Sequence, residues 1–160
     1  MSRFREWSGY FNSIINQFGQ DDVFIRFMIL WMAYNSYYSN KYPTKNDREC
    51  INLLSNDTHT QQIYDSKKQQ ILSSFAQIHS LYCSPRTFVK DMRISRNARN
   101  AVFDEQHNDL YDFLNAVYQI RCNLFHGDKT PYSETDKELT KWAYENLLII
   151  LQEDNSTIFG

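Results

Sequence analysis

Apolar residues recur along this chain in steps of three and four, the spacing that puts side chains on one face of an α-helix. Over residues 3–18 the series is Phe4, Trp7, Phe11, Ile14, Ile15 and Phe18, and Gly19 fits a stop. Asp21 or Asp22 then starts a second helix running to about Tyr38. It is apolar on nearly every side (Val23, Phe24, Phe27, Met28, Leu30, Trp31, Tyr34), as a helix at the centre of a bundle must be. Pro43 follows, and Asp47 opens a shorter helix with Ile51, Leu53 and Leu54. The stretch "SNDTHTQQ" at 55–62 reads as a polar loop, residues 62–81 as a helix, and "CSP" at 83–85 as its break. Residues 86–104 are ambiguous. A long helix is expected from about Asp104 to Phe125 and a last one from about Thr135 to Gln152, with Thr135 and Glu138 at capping-box spacing. No segment alternates strictly enough for a strand.

The pattern therefore predicts an all-α bundle of about five to seven helices in one domain, 1–160. Length and composition agree. A chain of 160 residues buries roughly 70% of its unfolded surface. Its 42% hydrophobic and 16% aromatic content rules out a disordered tail, and 4 Gly with 3 Pro are too few for a protein of many tight turns. The formal charge of −2 means that any grip on nucleic acid must come from a local basic patch. Cys50, Cys83 and Cys122 are widely spaced, without a CxxC pair and without zinc spacing to His59, His79, His107 or His126. They read as reduced thiols, with no metal and no cofactor implied. The start "MSRFREWSGY" has no apolar signal core, and "FMILWMAY" at 27–34 is too short to span a bilayer. The expectation is a soluble cytoplasmic chain with no membrane partner.

One helix breaks its own pattern. Leu110, Phe113, Leu114, Val117, Arg121 and Leu124 share a face, so Arg121 stands where the pattern calls for leucine. A desolvated guanidinium needs a partner or an opening to water. His126 lies about 140° further round an ideal helix, so the pair converges only if the helix stops, and Gly127 fits a C-terminal stop. By itself an arginine and a histidine at a helix end also serve the dipole and cap the last carbonyls.

In context, "RCNLFHG" at 121–127 resembles the R-x4-H signature of HEPN domains, an all-α family, and "LWMAYNSYY" at 30–38 resembles the second-helix segment of one group of them. Cys122 stands where that family usually carries a polar residue after the arginine. The resemblance implies a HEPN-like bundle and a metal-independent endoribonuclease, commonly a toxin or part of an antiviral defence system, with a possible antitoxin or defence partner. It implies Arg121 and His126 as the catalytic pair: the arginine holds the phosphate and the histidine moves protons. It also points to a homodimer with the motifs facing each other. Asn123 and Asn35 are candidate substrate contacts, though Asn35 reads equally as a hydrogen-bonded core amide.

The run "RTFVKDMRISRNAR" at 86–99 carries Lys90, Arg93 and Arg96, with Arg86 and Arg99, against the single acid Asp91. It suits a sequence-independent grip on RNA, or else a solvated basic face. Tyr34, Tyr37, Tyr38 and Tyr42 have the spacing of core aromatics, and stacking on bases is the other use of such rings. Two further readings stay open: a catalytically silent HEPN module that binds RNA, a nucleotide or a partner protein, and a helical adaptor whose motif only caps a helix.

Overall fold

The computed structural model describes residues 5, 9, 11–13, 22–81, 88–89, 100–125 and 133–155. Five helices are described from end to end: α1 (Val23–Lys41), α2 (Asp47–Leu54), α3 (Thr58–Leu81), α4 (Leu110–Phe125) and α5 (Glu134–Asp154). The fold is an all-α bundle. Of the expected helix over 3–18, residues 5, 9 and 11–13 are described and helical, and Phe11 is buried against Tyr144.

Helix α1 begins where the sequence expects it. The Asp22 side chain accepts from the amides of Phe24 and Ile25, satisfying two donors that the helix cannot pair internally. Its apolar circumference is used on several sides: α1 packs along α5 and also touches α2 and α4. Phe27, Leu30, Ala33 and Tyr38 are fully buried. Helix α3 packs on α5 too, and the centre between them is aromatic. The Trp142 ring lies 4.8 Å from Phe75, 5.4 Å from Phe103 and 5.6 Å from Phe113, and its indole N–H donates to the Ile71 carbonyl.

Three boundaries differ from the pattern, each set by a short capping side chain that the pattern did not single out. Helix α3 starts at Thr58 instead of about 62, since the Asp57 carboxylate accepts from the Thr60 amide and hydroxyl. Most of the expected polar loop is thus helix. Helix α4 starts at Leu110, not at Asp104. Asp104 instead closes a turn through the amides of Gln106 and His107, and Asp109 accepts from the Asp112 amide. Helix α5 is capped by Ser133, whose hydroxyl accepts from the Asp136 amide, so the expected box at Thr135 and Glu138 lies inside the helix.

There is also a strand pair that the pattern did not suggest. Phe88–Val89 (β1) and Ala101–Val102 (β2) run antiparallel, with Phe88 opposite Val102 and Val89 opposite Ala101. Two residues are too few to show a period of two. Both strands lie against α4, and Val89 is buried.

Candidate functional site

Arg121 sits on α4 one turn before its end, at the border of the buried face. That face continues through Val117, Ile120 and Asn123, and the Arg121 side chain keeps 22% of its surface exposed. The conflict posed by a charge on an apolar stripe is resolved in two ways at once. The guanidinium has an acid nearby, and it opens onto a cleft.

The acid is Asp47, the first residue of α2. Its Oδ2 lies 3.7 Å from Arg121 Nη2, and its Oδ1 accepts from Asn35 Nδ2 at 3.0 Å. Asn35 also donates to the Tyr38 hydroxyl at 2.6 Å. Asp47 therefore ties the end of α4 to the middle of α1. Burial pushes the Tyr38 phenol well above its ordinary range; the Asn35 bond opposes that and the Asp47 charge adds to it. This hydroxyl stays protonated at any ordinary pH.

Three rings frame the guanidinium. Its central carbon lies 4.8 Å from the Phe125 centroid, 5.7 Å from Trp31 and 5.8 Å from Tyr118, all within cation–π range. Arg48 sits over the same Tyr118 ring at 5.3 Å. A further polar contact among the described residues is weak: Arg121 Nη1 approaches Cys122 Sγ at 3.9 Å. Arg121 Nε and the Trp31 indole N–H are buried and have no hydrogen-bond acceptor among the described residues.

The cleft has a volume of about 450 Å³. Trp31, Met32, Asn35, Ser36, Ser39 and Asn40 line it from α1, and Arg121 and Phe125 from α4. It thus joins Arg121 and Asn35, residues of the two separate segments that carry the HEPN resemblance. Asn123 takes a different place. Two positions past Arg121 on the helix, it is rotated by about 200°, is 1% exposed and accepts from Gln119 Nε2 at 2.9 Å. It belongs to the core, away from the cleft. Of the tyrosines, Tyr34 and Tyr38 are core residues, Tyr37 donates to Asp154 at 2.6 Å, and Tyr42 is partly buried against the core. His126, Lys90, Arg93 and Arg96 lie outside the described residues.

Sequence reasoning missed Asp47, Arg48 and the Ser39–Asn40 wall. Asp47 carried no signal beyond its place at a helix start, since its role depends on a fold that brings α2 to α4. Among the described residues no group of three His, Cys, Asp or Glu side chains is arranged to hold a metal ion, and no helix is long and apolar enough to cross a membrane. No family profile, curated protein or solved structure matches this chain.

Proposed function

We propose that this chain is a metal-independent endoribonuclease of the HEPN type, acting in the cytoplasm as a toxin or antiviral effector. The observation that supports this most is the meeting of the two resembling segments: the RCNLFH arginine and the WMAYN asparagine reach one cleft and share one carboxylate, Asp47. A helix-capping arginine would need neither the cleft nor the aromatic frame.

In this reading the ribose 2′-oxygen forms a bond to the adjacent phosphorus while the bond to the 5′-oxygen breaks. The products are a 2′,3′-cyclic phosphate and a 5′-hydroxyl. One proton leaves the 2′-hydroxyl and one reaches the departing oxygen. His126, next after the last described residue of α4, exchanges these protons, since its ordinary pKa lies near neutrality. Arg121 presents its fork to the non-bridging oxygens, where charge builds up. Asp47 holds that fork and Asn35 holds Asp47, so both are positioning residues. The basic run with Lys90, Arg93 and Arg96 supplies backbone contacts, and a two-fold dimer sets two motifs around one RNA-binding slot. An antitoxin or defence partner would act by covering that slot.

Incubation with total RNA, with and without chelator, tests the proposal. Wild type should leave 2′,3′-cyclic phosphate ends in either case, while Arg121→Ala and His126→Ala each lose cleavage and keep their helicity. Activity that survives in both variants, or disappears with chelator, defeats it. Cys122 favours a second reading, a silent HEPN module, because a thiol is a poor substitute for the polar group usual there. Tight RNA binding with no cleavage by wild type, and cleavage regained in Cys122→Asn, would decide for that reading.

A further inference from the structure

The cleft beside Arg121 offers more than a phosphate needs. Arg121 is the one cation among its described lining residues, and Asp47, 3.7 Å away, already offsets that charge. Such a balance suits the single negative charge of a phosphodiester. Among the described residues the lining offers no second cation for the multiply charged end of a free nucleotide. Beyond the guanidinium the lining is neutral: Ser36, Ser39 and Asn40 on one side, Phe125 and Met32 as apolar surface. Neutral hydrogen-bonding groups facing an aromatic ring are what a heterocyclic base requires, its edge being read by donors and acceptors and its face by stacking. Asn40 and Ser39 are exposed, so their polar groups are available, and an amide side chain pairs naturally with a base edge. Phe125 is 38% exposed although Arg121 covers part of its ring. The buried Trp31 indole N–H, on the same lining, has no acceptor among the described residues. A volume of about 450 Å³ falls in the small-molecule range of ~300–1,000 Å³.

We infer that this cleft is a subsite for one unpaired nucleotide of an RNA chain, with the base between Phe125 and the Ser39–Asn40 wall and its phosphodiester on Arg121. The inference rests on the nuclease reading and adds a substrate requirement to it. A base in a duplex has its edge occupied and its faces stacked, so only single-stranded or extruded nucleotides can enter.

Calorimetric titration of the full chain tests this with a dinucleoside monophosphate whose attacking 2′-hydroxyl is replaced by hydrogen. The comparison ligands are the corresponding abasic compound, a ribonucleoside 3′-monophosphate and inorganic phosphate. The base-bearing dinucleotide should bind about tenfold or more tighter than the abasic compound, as stacking of one base allows. Asn40→Ala and Phe125→Leu should each remove most of that margin. Equal affinity for the two ligands, or an undiminished margin in both variants, overturns the subsite. Tighter binding of the mononucleotide overturns the commitment to an RNA chain. A clear margin in a protein that never cuts RNA leaves the subsite standing and removes the nuclease; cutting without any margin does the reverse.

Discussion

Asp47 is the residue on which the geometry around Arg121 turns. Its side chain is 31% exposed, so its attraction for the guanidinium is partly screened by water, and its effect is to orient the fork more than to stabilise the fold. Asp47→Asn keeps an acceptor for Asn35 but drops the charge that aims Arg121. We predict that kcat for RNA cleavage falls about tenfold, with KM changed less, because the loss is felt most where charge develops on the phosphate. A loss of kcat accompanied by a large fall in melting temperature would mark Asp47 as structural only. Asn123 presents the opposite case. Its amide is buried and accepts from Gln119, so Asn123→Ala strands a buried donor. Urea unfolding should show a loss of about 1–3 kcal/mol. A variant as stable as wild type would mean that Gln119 finds another acceptor.

At the level of elements, the junctions depend on short acidic and hydroxyl side chains, and Asp57 is the clearest of them. Burial acts to raise its carboxyl, but the Lys41 ammonium and the Thr60 amide and hydroxyl outweigh that and hold it at about 2. The ordinary carboxylate value is about 3.9. The folded state therefore favours the ionised form, and this stabilisation is complete above about pH 4 and fades as pH falls towards 2. The stability difference between wild type and Asp57→Asn should shrink across that interval in chemical unfolding; a constant difference would contradict the assignment. These junctions also show where sequence reading stops. The long apolar faces of α1, α4 and α5 were legible because many positions repeat one signal. The starts of α3, α4 and α5 were not, because Asp57, Asp109 and Ser133 each stand within a few residues of other side chains equally able to cap, and periodicity does not choose between them. In the site, Arg121 was legible as a charge out of pattern and Asn35 as a polar residue on an apolar helix. Asp47 and the Ser39–Asn40 wall resemble any helix start and any exposed helix surface until the helices are packed.

For the whole molecule, the arrangement of cations bears on assembly. A net charge of −2 gives no general pull on RNA. One cleft with one offset arginine is a weak attractor, and two clefts around a two-fold axis would double the local positive charge. Light scattering at micromolar concentration should report a dimer, and Arg121→Ala should leave that mass unchanged. A monomer that cuts RNA at full rate would remove the shared slot from the proposal.

The small β1–β2 pair has a further meaning for how the chain can change. Its paired residues bring positions 89 and 101 into register side by side, with Val89 and Phe103 buried against the bundle. The pairing thus holds together two positions that are well separated along the chain. Segments attached in this way tolerate changes of length, because the ends stay put whatever lies between them. Exchanging the basic run at 90–99 for a longer or neutral one should leave helical content and thermal unfolding as in wild type, which circular dichroism checks. On the proposed nuclease reading, the grip on the RNA backbone and the chemistry at the cleft would then be open to separate adjustment, without rebuilding the centre of the bundle.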